Sequence, residues 1–280
     1  MPRIQTLTDL QPPVLVFGGV YSNLEALQAL QALAEERGIP PRQIICTGDI
    51  VGYCADPEEC VQAVRRWGIH SIAGNVEIQL RNGESDCGCD FSADSRCDYF
   101  AKQWYPYAQQ RISPESIAWM HTLPEFLRFE LGGRRCFVLH GSYFKTSEFI
   151  FRSTPWPVKE RNFEATGAEV ILAGHCGLPF HHLEGGRWWL NPGVIGMPAN
   201  DGTTRVWCLL LDVVGGRLTF RHLPFEFDHE ETFARMLETE LPIAYAKTLT
   251  SGLWDNNDIL PPEETAQQGI PLQLEAFSLP

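Results

Sequence analysis

The sequence predicts an α/β protein in which two mixed β-sheets are sandwiched between helices. Three observations point there. In the first third, short β-branched runs alternate with helical patterns, as in a parallel, helix-covered sheet. In the second half, glycine pairs separate apolar segments, which is how antiparallel hairpins are punctuated. Short polar motifs follow the strands and so meet at one edge, where open α/β sheets present their ligands.

Residues 1–13 read as an N-terminal extension and 14–240 as one domain. Val14-Leu15-Val16-Phe17-Gly18 is a buried strand, followed by a helix across Leu24–Leu30. A second strand ends at Cys46, and Asp56 stands as the N-cap of a helix entered through Pro57. Residues 81–97 form a Gly/Asp/Ser/Cys-rich loop, and helices follow over 98–110 and 114–122. Residues 125–139 form a hairpin turning at Gly132-Gly133, and two more turn at Gly185-Gly186 and Gly215-Gly216. A helix runs from about Asp228 to Glu240. Residues 241–280, with Pro261-Pro262, read as a loosely packed C-terminal tail.

A chain of 280 residues with 44% hydrophobic and 20% charged content has enough apolar surface for a sizeable core. Its net charge of -13 disfavours nucleic acid and anionic membrane, whose phosphates demand clustered Lys and Arg. It leaves room for a small phosphorylated molecule whose charge a metal neutralises locally. No segment has the pattern of a signal peptide, and no run approaches about 18 apolar residues. The expected compartment is the cytoplasm, where the nine cysteines favour thiols or metal ligands over disulfides.

Four motifs carry the chemistry: Gly48-Asp49, Gly74-Asn75, His140-Gly141-Ser142 and Gly174-His175. Each follows a short apolar run: Ile44-Ile45, Ser71-Ile72, Phe137-Val138-Leu139 and Val170-Ile171-Leu172. An Asp, an Asn and two His delivered from strand ends form an oxygen and nitrogen ligand set suited to Zn, Mn or Fe.

In this order and context the motifs resemble those of the calcineurin-like metallophosphoesterase superfamily, from about Val14 to Asp212. The resemblance implies that Asp49, Asn75, His140 and His175 form the second of that family's two metal sites. It also exposes departures. The family's Asp-x-His motif is Gly19-Val20-Tyr21 here, its Gly-Asn-His motif ends in Val76, and its Gly-His-x-His motif ends in Gly177. Every ligand unique to the first metal site is therefore replaced, together with the His that assists the leaving group. Glu77 and Tyr21 are the candidate catalytic substitutes, with Glu77 standing equally as a group that orients a ligand.

Five cysteines lie near the motifs in sequence: Cys54, Cys176, and Cys87, Cys89 and Cys97 in a C-x-C-x7-C loop. Two readings follow. As thiolates they would refill the vacated half-site and bind a metal or an iron–sulfur centre; as thiols they are small buried hydrophobes. The corresponding functions are a metal-dependent phosphoesterase with weak generic activity and a non-hydrolytic metal- or iron–sulfur-binding protein for redox, sensing or delivery.

Overall fold

The structure is a computed structural model, described here for residues 3–89, 91–274 and 277–278. The first half of the chain runs β1 (Ile4–Thr6), β2 (Val14–Phe17), α1 (Leu24–Glu36), β3 (Ile44–Cys46), α2 (Pro57–Trp67), β4 (His70–Ser71), α3 (Asn75–Asn82), α4 (Arg96–Arg111) and α5 (Pro114–Met120). It continues as β5 (Phe126–Leu131), β6 (Arg134–Val138), α6 (Trp156–Thr166), β7 (Val170–Leu172), β8 (Pro179–Glu184), β9 (Arg187–Pro192), β10 (Val206–Val214) and β11 (Arg217–Phe225). The remaining elements are α7 (His229–Glu238), α8 (Ile243–Ser251), α9 (Pro262–Thr265) and β12 (Phe277–Ser278).

One sheet has the strand order β1-β5-β6-β7-β9-β8 and the other β12-β11-β10-β2-β3-β4. Both are mixed. The β2-β3-β4 pairs are parallel and β10 lies antiparallel to β2 and β11.

Alternation along each central strand builds the layers. Val14 and Val16 of β2 join Leu209 and Leu211 of β10, and Val170 and Leu172 of β7, in the core between the sheets. Leu15 and Phe17 point the other way, under α1 and α2, while Ile171 faces α6. Both faces of these strands are buried, so they read as continuous apolar runs.

Capping accounts for several helix starts. Asn23 accepts the Ala26 N–H at 3.0 Å and Ser113 accepts that of Ser116 at 3.1 Å. Asp56 stands at the N-cap of α2 but makes no side-chain cap bond. Its carboxylate instead accepts Arg235 Nε at 2.8 Å, tying α7 to α2 in a two-pronged ion pair.

The chain ends differ from the sequence reading. Within the 1–13 extension, β1 pairs in parallel with β5, Ile4 opposite Phe126. The tail expected from residue 241 packs closely: Tyr245, Ala246 and Leu249 of α8 are buried, as is Trp254. Among the described residues no helix is long and apolar enough to cross a membrane.

Candidate metal centre

The four motif residues come from two sheets. Asp49 follows β3 and Asn75 opens α3 just beyond β4, in one sheet; His140 follows β6 and His175 follows β7, in the other. They meet at the carboxyl ends of these strands. Asp49 and His175 both adopt positive φ, 57° and 63°, a rare backbone state for residues with side chains and one concentrated at functional sites. Gly74 permits the meeting, because a Cβ there would lie 2.2 Å from Asp49 Oδ1.

His140 Nε2 is the hub. It lies 3.1 Å from Asp49 Oδ2, 3.0 Å from Asn75 Oδ1 and 3.1 Å from His175 Nδ1. The other ring nitrogen, Nδ1, sits 2.6 Å from the Thr47 carbonyl and must donate its proton there. Asn75 is oriented as firmly, since its Nδ2 donates to the Cys87 carbonyl at 2.9 Å and to Cys89 Sγ at 3.3 Å. Its Oδ1 is thereby turned toward the hub.

Nε2 has at most one proton to share among three partners, two of which are acceptor-only oxygens. A cation placed among the four atoms would satisfy all of them at once, so the donor set fits a metal. Among the described residues, Asp49, His140 and His175 form the single cluster of three or more His, Cys, Asp or Glu groups with ligand atoms within 4.8 Å of one another.

Burial alone would raise the Asp49 carboxyl, but the His140 charge and hydrogen bond outweigh it and hold the carboxylate below its usual range. By the same attraction His140 is raised, against the opposing effect of its own burial.

Glu77 does not reach the cavity. It is 0% exposed, and its carboxylate accepts four backbone N–H groups: Asp49 at 2.8 Å and Gly74 at 2.9 Å on Oε2, Ile50 at 2.8 Å and Val51 at 3.2 Å on Oε1. Burial, then the Asp49 charge, pushes its carboxyl up to about 7, with the amide bonds pulling the other way. A catalytic role for Glu77 is therefore corrected: it shapes the Asp49 loop and touches nothing a substrate could reach.

Tyr21 lies in the cavity wall beside Asp49. Burial, followed by the charges of Tyr53 and Asp49, holds its phenol well above the usual 10. Its neutral hydroxyl can act as a hydrogen-bond donor.

Of the five cysteines, Cys89 and Cys176 line the cavity beside Asp49 and His175, while Cys54 and Cys97 lie elsewhere. Cys54 belongs to the core under α1 and α2, its Sγ 3.9 Å from the Gly196 carbonyl. Cys176 belongs to the core beside α6, where Sγ donates to the Leu178 carbonyl at 3.7 Å and accepts from Asn191 Nδ2 at 3.2 Å. Cys97 Sγ donates to Asn256 Oδ1 at 3.4 Å. Burial pushes Cys54 well above its usual 9, and Cys97 and Cys176 up to about 12. Cys87 and Cys89 are joined in a disulfide, where composition favoured free thiols. The five sulfurs are thus not gathered into one centre: Cys54 and Cys176 sit in different apolar clusters, Cys97 is half-buried against Asn256, and burial favours the protonated thiol in all three.

Aromatic rings occupy the space beside Gly19 and Gly177. A Cβ on Gly19 would lie 2.5 Å from Tyr21 Cε1, and one on Gly177 3.2 Å from Trp254 Cη2. Tyr21 packs edge-on against Tyr53, ring centroids 5.1 Å apart. Phe149 lies over His175 at 4.3 Å. What remains open is a cavity of about 40 Å3, room for a few water molecules.

Trp254, Phe149 and Asn191 belong to none of the sequence motifs. Asn191 Nδ2 also donates to the Gly174 carbonyl at 2.8 Å and so braces the residue before His175.

Fold and site together define a metallophosphoesterase-type scaffold. The chain belongs to the calcineurin-like phosphoesterase superfamily, whose domain matches residues 17–215. It is similar to an uncharacterized protein of Methanocaldococcus jannaschii, 25% identical over 249 residues that cover 82% of this chain and 93% of the relative. Among solved structures it resembles a metallophosphoesterase from Sphaerobacter thermophilus, with TM-score 0.66 and 24% identity over 88% of this chain and 100% of that one. A hypothetical protein from Pyrococcus horikoshii superposes with TM-score 0.69 at 19% identity, covering 89% of this chain and 100% of that one. These two likenesses carry the fold.

Proposed function

We propose that this protein is a hydrolase of a small phosphoester with one divalent metal, Zn, Mn or Fe, held by Asp49, Asn75, His140 and His175. The observation that carries the reading is the convergence of three polar atoms within 3.1 Å of His140 Nε2, two of them acceptor-only oxygens, when Nε2 has one proton at most for them. The metal, when bound, supplies Lewis-acid stabilisation of charge on the phosphoryl oxygens.

The chain's own residues do the rest. Thr47 fixes the His140 tautomer, the Cys87 carbonyl fixes the Asn75 amide, and Glu77 holds the Asp49 loop. Val76 stands where a leaving-group acid would act and offers no proton, which favours esters whose leaving oxygen is stable as an anion. Weak turnover of generic substrates follows from the loss of that group and of a second metal.

The test is to strip the protein with chelator and titrate it with Mn²⁺ and Zn²⁺. One tightly bound equivalent, and Mn²⁺-dependent release of p-nitrophenol from bis-p-nitrophenyl phosphate, are expected. Absence of any bound metal would overturn the reading.

A further inference from the structure

The cavity beside Asp49 and His175 contains, among the described residues lining it, no Lys and no Arg. Its wall is formed largely by rings, from Tyr53, Phe91, Trp104, Phe149 and Trp254. The described ionisable groups that reach it are two proposed ligands, Asp49 and His175, with Tyr21, Tyr53 and cysteine sulfurs. We propose that this site selects a singly charged phosphoryl group, a phosphodiester, over a doubly charged phosphomonoester. The inference rests on the one-metal reading above.

The argument is a charge balance. Among the described residues that reach the cavity Asp49 is the one carboxylate, so a divalent ion against it leaves one positive charge, with Asn75 neutral and the two imidazoles neutral when ligating. A diester monoanion closes that balance. A monoester dianion leaves one negative charge, held among ring faces that are themselves electron-rich.

Other sources of compensation are already committed. At the start of α3, the Val76 N–H donates to Asp49 Oδ1 at 3.3 Å and the Gly74 N–H to Glu77. Glu77 lies directly behind the Asp49 loop and brings a further carboxyl group rather than a cation. Val76, which replaces the family's His, lines the same cavity and removes one more donor that a second anionic oxygen would need. The Tyr21 phenol can serve one oxygen only.

The test compares two ligands of nearly equal size that differ by one charge. Stripped protein is loaded with Mn²⁺, and uptake is followed by electron paramagnetic resonance. Dimethyl phosphate and methyl phosphate are then titrated calorimetrically at about pH 8, where the monoester is a dianion. Dimethyl phosphate should bind at least ~10-fold more tightly. Met197→Lys, which adds a cation at the half-buried cavity wall, should narrow or invert the gap; Ile259→Lys serves if the first variant misfolds.

Equal or tighter binding of methyl phosphate to the loaded wild type, or binding of neither ester, overturns the inference and leaves the metal centre standing. Failure to take up Mn²⁺ overturns the metal centre itself, and this inference with it.

Discussion

The Glu77 carboxylate accepts the backbone N–H of Asp49 at 2.8 Å, so one buried acid holds in place the loop that aims another. Asp49 sits at positive φ, a conformation that does not hold itself. Four N–H bonds onto one side chain give the loop its shape. Glu77→Ala should cost on the order of 3 kcal/mol in urea denaturation, because buried donors lose their partner. It should also weaken metal binding ~10–100-fold in a chelator competition, as loss of a ligand's support does. Glu77→Gln, with one acceptor oxygen left, should fall between. Unchanged metal affinity in both variants would remove Glu77 from the site's architecture.

Restoring the missing ligands one at a time should fail for steric reasons. Gly19→Asp drives its Cβ into the Tyr21 ring and should destabilise the fold by about 1–3 kcal/mol. Gly19→Asp combined with Tyr21→His removes the ring and should be more stable than the single Asp variant. Thermal denaturation of the two single and one double mutant measures this coupling. Additive effects would mean the ring does not fill the space beside Gly19.

Because Cys54 and Cys176 lie in separate apolar cores, Cys54→Ser and Cys176→Ser should keep full metal content. Each should lose about 1–2 kcal/mol of stability, since a hydroxyl replaces a small hydrophobe in an apolar site. Elemental analysis after gel filtration is the measurement. A fall in metal content on either substitution would return sulfur to the centre.

Acid should weaken the fold through His222, which donates to the Asn191 carbonyl at 2.9 Å deep in the protein. Burial, with the like charge of His181, lowers its pKa from 6.5 to about 4. The unfolded chain therefore binds the extra proton between those values. The stability contribution is complete above pH 6.5 and is lost as pH falls toward about 4, amounting to about 3 kcal/mol. His222→Gln should flatten that part of the profile when denaturation midpoints are compared across pH in chelator. A variant with an unchanged slope would place the acid sensitivity elsewhere.

The convergence of Asp49, Asn75, His140 and His175 was legible because each sits just beyond a short apolar strand, and strand ends in one α/β sandwich meet at one edge. The hairpins were legible for a similar local reason, their paired glycines. What occupies the space beside Gly19 and Gly177 was not. Trp254 lies 77 residues beyond Gly177 in a polar stretch, and no local pattern ties them. The cysteines misled because closeness in sequence to a motif residue does not fix what a side chain bonds: His175 Nδ1 lies at the hub while Cys176 Sγ is taken up by the Leu178 carbonyl and Asn191. β1, three exposed residues, has no alternating apolar face to announce it and is seen only through its pairing with β5.

Trp254 has a consequence for how the molecule is made. The ligands end at His175, yet one wall of their cavity arrives with residue 254, beyond the residue-215 limit of the family domain. A nascent chain emerging amino-terminus first brings all four ligands out of the ribosome well before that wall. Until then the apolar flank beside the quartet faces water. The quartet and the wall that flanks it are thus made at separate moments of synthesis.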